Sequence, residues 1–216
     1  MLAAINDNRP NGLEQVVVTM RILVFTSALA FLSTTASYAD TTSGPPPSAE
    51  TCSYSEADLE TNRQLDWASF DLAGKAPKSS MGLSSKGCYR EAVEVARDYL
   101  ANGPLLTVKQ HAITTFHMAR NLARTGDHRG ASFLAAASRR SDQPSDAPLD
   151  WNTYVVGFTA YLSGDRAGLD ESHAKLMAAG GDSNLTNAGV LARAQRCFTR
   201  PYAEVETAPA CQPAIE

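Results

Sequence analysis

Histidine is the side chain best suited to proton transfer or metal binding near neutral pH, and this chain has four. His111 and His117 are six residues apart, about 600° of rotation in a helix, so they do not share a helix face. There is no HExxH motif and no set of carboxylates and histidines at metal-ligand spacing. We therefore predict no metal site and no cofactor. The four histidines are interpreted as surface or half-buried residues: His111, His117, His128 and His173.

Ser172 and Lys175 have the SxxK spacing that penicillin-recognising enzymes use. The companion SDN and KTG motifs are missing, so we interpret the pair as part of an exposed helix face. GxSxG, a phosphate-binding glycine loop and GxGxxG after a strand are also absent. Acidic residues are too numerous for a carboxylate pair that cleaves glycosides to be nominated. The motifs therefore predict no catalytic activity.

Residues 20–40, MRILVFTSALAFLSTTASYAD, are typical of a secretory signal peptide. Arg21 supplies the positive charge, residues 22–32 form the apolar core, and small residues precede a cleavage point near Ala39. That core is shorter than the roughly 20 residues that a membrane span needs. We predict that translation begins at Met20 and that the mature chain is periplasmic or secreted, with no membrane span.

All four cysteines lie beyond the predicted signal peptide. An even count in an exported protein predicts two disulfides, because the compartment outside the cytoplasm is oxidising. Of the three possible connectivities, we favour Cys52–Cys88 with Cys197–Cys211, since each pair closes a local loop at one end of the domain. A metal site is disfavoured, because the spacings are not CxxC-like.

Removing residues 1–39 from the 216-residue chain leaves 177, enough for one domain that buries roughly 70% of its unfolded surface. The removed part holds two basic and two acidic residues, so the net charge stays at −4, which argues against a nucleic-acid partner. Abundant alanine favours helices. We predict a flexible Pro/Ser/Thr linker over 40–51, a helical domain over 52–199 and a disulfide-tethered tail over 200–216.

A repeated pattern of helix, turn and helix covers residues 87–180. Turn glycines at Gly87, Gly126 and Gly164 are 39 and 38 residues apart, a period typical of helical arrays. An aspartate follows each of the last two glycines. The helices predicted around these turns cover residues 105–124, 128–140, 150–163 and 166–179, and a further helix is predicted over 185–198.

These residues resemble a tetratricopeptide-repeat array. Small residues seven positions before a turn glycine, Ala119 and Gly157, and alanines five positions after one, Ala92 and Ala131, match the family pattern. Small residues at these places let the two helices of a hairpin approach closely. Leu169 departs from the pattern, because it replaces the alanine of the third unit.

The resemblance implies an all-α fold, a short right-handed array of antiparallel helix hairpins with the helix over 185–198 as a C-terminal cap. The period is longer than the usual 34 residues, which implies longer connections. Segments 150–155 and 197–202 also resemble a group of uncharacterised secreted proteobacterial proteins, a likeness that implies no activity.

In tetratricopeptide arrays the first helix of each hairpin lines a groove that commonly binds peptide segments. Two such helices carry aromatic and arginine side chains at spacings of three and four, which place each set on one face. Aromatic rings with polar tips, together with arginines, suit a peptide or a carboxylate. The predicted groove residues are Phe116, Arg120, Arg124, Trp151, Tyr154, Phe158 and Tyr161.

A second interpretation of the aromatic stripe stays open. Residues 151–162 are apolar nearly all round, and such a helix is usually buried, so the aromatic side chains could belong to the core. The like charges of Arg120 and Arg124 are four residues apart and repel each other. An acidic ligand would relieve this repulsion, and so would Asp127 or another internal acid.

We predict an exported, non-catalytic helical-repeat protein that binds a protein or peptide partner in the periplasm. One alternative is an envelope-polymer hydrolase with an all-helical fold. The other is a structural protein that self-associates through the apolar helix at 185–198. The sequence leaves the oligomeric state open.

Overall fold

The computed structural model describes residues 47–73 and 76–212. These residues form ten α-helices, one π-helical turn and one 3₁₀ turn, with no strand among them, which confirms the predicted all-α class. The predicted signal peptide and residues 40–46 of the predicted linker lie outside the described residues. Residues 49–51, which the sequence also predicts as flexible linker, belong instead to a short helix capped by Ser48.

The helices follow one another along the chain with short connections. The first five, with the π-helical turn before α3, are α1 (Ala49–Cys52), α2 (Glu56–Arg63), the turn Ala68–Leu72, α3 (Ser80–Ser84), α4 (Tyr89–Asn102) and α5 (Val108–Arg124). The rest are α6 (His128–Ala137), α7 (Trp151–Ser163), α8 (Arg166–Ala179), α9 (Asp182–Arg196), α10 (Tyr202–Thr207) and the 3₁₀ turn Pro209–Cys211. The bounds of α5 to α9 agree with the predicted helices to within three residues.

The Gly-Asp pairs divide the helices as the sequence predicts. Gly126 and Gly164 have φ of 84° and 74°, a left-handed conformation that glycine adopts without a steric penalty and that ends a helix. Asp127 and Asp165 then cap the next helix, since each side chain accepts a hydrogen bond of 2.9 Å from the backbone N–H three residues further on. One dipeptide therefore ends one helix and begins another.

Consecutive helices from α4 to α9 pack against each other, so each hairpin contacts the next. Small residues allow this close packing. At Gly157 an added Cβ would lie 2.8 Å from Ser172 Cβ on α8 and 2.5 Å from Leu191 Cδ1 on α9. A side chain here would force the three helices apart.

Two groups of buried apolar residues form the core, and each contains one disulfide. Cys52–Cys88 lies in the group built from the first helices, where the Phe70 and Tyr99 rings stack 3.7 Å apart. Cys197–Cys211 lies in the larger group, built from α5 to α10. The favoured disulfide pairing is confirmed.

The chain beyond α9, predicted as a disulfide-tethered tail over 200–216, contains helix α10 and packs into the core. Tyr202 and Val205 of α10 are buried in the larger core, although the sequence placed them outside the helical domain. Helix α9 buries Leu191 and Ala194 against the rest of the chain, whereas Leu185 of the same helix is 43% exposed. In the part of the chain that the structure describes, no helix has the length and apolarity to cross a bilayer.

Candidate functional site

Five of the seven predicted groove residues are core residues. The Phe116 ring lies at the centre of the aromatic cluster, with ring centroids of Trp151, Tyr154 and Phe158 at 5.0 to 5.1 Å. These four residues and Tyr161 each have at most 8% of their surface exposed. For the aromatic residues the groove prediction is therefore corrected, because α7 packs against α6, α8 and α9 and its rings face the interior.

The two predicted groove arginines bind an acid of their own chain. Arg120 Nη2 contacts Glu206 Oε1, and Arg124 Nε donates to Glu206 Oε2 at 2.6 Å. Arg120 Nε also donates to the Tyr202 hydroxyl at 3.1 Å. Helix α10 thus supplies the internal acid that relieves the repulsion between the two guanidinium groups.

Glu206 is ionised in spite of its burial. The loss of water around its carboxylate would raise its pKa, but the charges and hydrogen bonds of Arg120 and Arg124 outweigh that effect and lower the pKa to about 2. The Tyr202 hydroxyl donates a further hydrogen bond to Oε1 at 2.9 Å. Burial raises the pKa of Tyr202, so this hydroxyl keeps its proton.

Beside this network lies a cleft of about 210 Å³ between α3 and α5, which we call the polar cleft. Helix α5 presents one continuous stripe to it, because positions separated by three, four and seven residues share a helix face. The lining residues are His117, Arg120, Asn121 and Arg124 of α5, Ser80, Met81 and Ser84 of α3, and Asp71 of the π-helical turn.

A fully buried carboxylate holds the histidine of the polar cleft in place. Asp71 Oδ2 lies 3.0 Å from His117 Nδ1 and accepts a hydrogen bond of 2.8 Å from Thr114 Oγ1. Trp67 Nε1 donates to the same threonine oxygen at 3.0 Å. Since a carboxylate oxygen accepts, the hydrogen of this contact is assigned to Nδ1. Asp71 Oδ1 has no hydrogen-bond partner among the described residues.

The other wall of the polar cleft carries hydrogen-bond donors. Arg124 Nη1 donates to Asn121 Oδ1 at 2.7 Å and to Ser84 Oγ at 3.2 Å, while its guanidinium carbon lies 5.2 Å from the centre of the Tyr89 ring. Within the described residues, Arg120 Nη1 and Arg124 Nη2 make no hydrogen bond. The lining residues Arg120 and Arg124 therefore each keep one donor atom that no described residue pairs with.

Of the residues that line this site, the sequence pattern predicts a binding role only for the two arginines. His117 was interpreted as a surface or half-buried residue, and its side chain is indeed 20% exposed, but its partner Asp71 is 46 residues away in the chain. No local spacing could have linked the two. The SxxK residues do not share an exposed face, since Ser172 is buried whereas Lys175 is exposed and pairs with Glu171.

Two further features would bear on function: a metal-binding group among the described residues and a match to a known protein. In residues 47–73 and 76–212, no cluster of three or more His, Cys, Asp or Glu side chains could hold a metal ion. Comparison of the chain with protein-family models, with curated proteins and with solved structures finds no match. The polar cleft is therefore the feature of the described residues that bears on function.

Proposed function

We propose that this protein is exported and binds a peptide or protein partner in the periplasm, without catalysing a reaction of its own. The observation that carries the proposal is the polar cleft, to which α5 contributes the side chains of Arg120, Asn121 and Arg124. Peptides contain carbonyl and carboxylate groups, which accept hydrogen bonds from guanidinium donors.

The proposed architecture is a short right-handed tetratricopeptide-like array, with α5 as the first helix of a hairpin. Four of its residues line the polar cleft, which fits the use of first helices for peptide binding that the resemblance implies. The two disulfides are compatible with an oxidising compartment outside the cytoplasm. These features support export and partner binding together.

Site-specific photo-crosslinking tests the proposal. Met81 lines the polar cleft and is half-buried, whereas Ala178 is exposed on α8 and does not line it. With a photoreactive amino acid at position 81, we expect discrete crosslinks to a peptide or protein of the envelope, identified by mass spectrometry. The same substitution at position 178 serves as the control. Absence of products at position 81, or identical products at both positions, would refute the assignment of the cleft.

A further inference from the structure

Helix α10 covers four of the seven predicted groove residues with only two of its side chains. The Tyr202 ring packs against two rings of α7 at centroid distances of 5.1 and 5.9 Å, and the Glu206 carboxylate pairs with two guanidinium groups of α5. The covered residues are Phe158 and Tyr161 under the ring, and Arg120 and Arg124 at the carboxylate. Rings and guanidinium groups suit a peptide that carries a ring and a carboxylate, and α10 is such a segment within the chain.

The side chains that hold α10 lie on one of its faces. Tyr202, Val205 and Glu206 are separated by three and four residues, a spacing that places them on the same side of a helix. Tyr202 and Val205 are buried, whereas Glu204 is about half exposed and pairs with Arg200, away from α5. An aromatic residue, an aliphatic residue and a carboxylate at positions i, i+3 and i+4 are anchors that a helix of another protein can also present.

The α10 segment is a disulfide-closed loop attached to the end of α9. Cys197 follows the last residue of α9 and is bonded to Cys211, 14 residues further on, so the helix between them stays tethered if it leaves α5 and α7. Six residues are too few for a helix that is stable by itself, and no side chain caps the N-terminus of α10 after Pro201. The position of α10 therefore depends on its contacts with the neighbouring helices.

We infer that α10 is an internal competitor for the partner, and that the partner is a helical segment with the same three anchors. The partner's carboxylate replaces Glu206 at Arg120 and Arg124, and its ring replaces Tyr202 on α7. Each exchange substitutes an equivalent contact, so the guanidinium groups keep an acid throughout. Occupation by α10 lowers the apparent affinity for the partner, since only molecules with α10 displaced can bind it. This inference rests on the proposed function and adds to it the chemistry of the partner.

A peptide of residues 199–208, labelled with fluorescein and amidated, serves as the probe. We expect it to bind disulfide-bonded Glu206→Gln protein roughly tenfold or more tightly than wild type, because the internal competitor has lost its carboxylate whereas Arg120 and Arg124 are unchanged. Glu204→Gln protein is the matched control and should bind like wild type, since Glu204 pairs with Arg200 and not with α5. Equal binding by the three proteins, or no saturable binding to Glu206→Gln protein, would overturn the inference.

The same two substitutions in the peptide test the role of its carboxylate. The peptide with Glu206→Gln should bind Glu206→Gln protein roughly tenfold or more weakly than the parent peptide, because it brings no charge to the arginines. The peptide with Glu204→Gln has the same net charge as that variant and should keep the affinity of the parent. Equal losses from both substitutions would show a general attraction of charge and contradict the assignment.

Hydrogen exchange of the wild-type protein tests the displacement without any variant. We expect the amides of residues 203–207 to exchange through an opening of lower free energy than those of α5 and α7, and to exchange faster in excess peptide. Exchange of α10 only through global unfolding, with and without the peptide, would show that it is a fixed part of the core and would overturn the inference. This measurement decides even if Glu206→Gln protein does not fold.

The two proposals fail in different ways. If the peptide does not bind but position 81 crosslinks to an envelope partner, the inference about α10 is wrong and the proposed function stands. If neither the peptide binds nor position 81 crosslinks, both are wrong. Dimers of Glu206→Gln protein in place of peptide binding would assign the surface to a second copy of the chain and also overturn the inference.

Discussion

Glu206 couples the stability of the fold to the charge of the cleft wall. Its carboxylate is only 16% exposed and holds both Arg120 and Arg124, which line the polar cleft. Removing one member of a buried ion pair leaves its partners charged and unpaired, which costs about 3–5 kcal/mol in comparable cases. The orientation of the two guanidinium groups therefore depends on one carboxylate from α10.

The sign of the pH dependence follows from the lowered pKa of Glu206. In the unfolded chain this carboxyl has its ordinary pKa of 4.5, and in the folded protein the pKa is about 2. A lowered folded pKa contributes stability that is present above pH 4.5 and is lost as the pH falls towards 2. The shift corresponds to about 3 kcal/mol of free energy of unfolding at neutral pH.

Glu206→Gln should lower the free energy of unfolding by about 2–4 kcal/mol at neutral pH, with a smaller loss near pH 2, where the wild-type carboxyl is also becoming protonated. Urea unfolding at the two pH values measures both differences. Glu204→Gln on the same helix is the control, because its pair with Arg200 is about half exposed and should be worth less than about 1 kcal/mol. Equal losses in the two variants would contradict the importance of the buried pair.

At the scale of the elements, Gly157 determines how closely α7 approaches its neighbours. The nearest contact of an added Cβ would be a leucine methyl group, which can move, but the next is Ser172 Cβ, which is attached to the backbone of α8. Relief of that overlap requires a shift of one helix against another. The small residue that the repeat pattern predicts at position 157 therefore allows α7 to pack closely against α8.

Gly157→Ala should destabilise the protein by about 1–3 kcal/mol, because overpacking outweighs the better helix propensity of alanine. Gly189→Ala on α9 is the matched control, since an added Cβ there meets nothing within 4 Å. The control should be stabilised by about 0.5–1 kcal/mol. Thermal and urea unfolding of both variants provide the measurement. If both variants are stabilised, the predicted overlap between α7 and α8 at position 157 does not occur.

At the scale of the whole molecule, the disulfides hold the two ends of the helical domain. Cys52–Cys88 joins residues 36 apart, and Cys197–Cys211 joins residues 14 apart next to the α10 helix that carries Glu206. Loops of these lengths correspond to about 3–4 kcal/mol each in the chain-entropy account of disulfide stabilisation. The two disulfides therefore stabilise the folded chain at both of its ends.

The exported form should begin at Asp40 or a near neighbour and should contain no free thiol, because both cysteine pairs are bonded. Intact mass of the protein from the periplasm, measured before and after reduction, tests both statements. The same protein kept in the cytoplasm serves as the control and should retain reduced cysteines. A periplasmic product that still carries residues 1–39 would contradict the predicted cleavage.

The features that the sequence predicts correctly are those whose deciding interactions are local. Helix hydrogen bonds join residues four apart, and the caps at Asp127 and Asp165 act three residues ahead, so the composition and spacing of short segments predict the helices. The disulfide pairing was also favoured correctly, because each bond closes a loop between residues at the same end of the domain.

The aromatic stripe of α7 shows where local pattern is ambiguous. A helix that is apolar nearly all round could contribute rings to a groove or to a core, and its own sequence contains no information about which neighbours cover it. In the folded chain α6, α8 and α9 pack around α7, and this packing places its aromatic rings in the core. The sequence could only leave both interpretations open.

The sequence by itself determined the helices, their turns, the small residues at their crossings and the favoured cysteine pairs, because these follow from interactions within a few residues or within one end of the chain. Only the tertiary structure decided the polar cleft. Asp71 meets Thr114 and His117 across 43 and 46 residues, and Arg120 meets Glu206 across 86. Such contacts depend on how whole helices pack, so the cleft exists only in the folded chain.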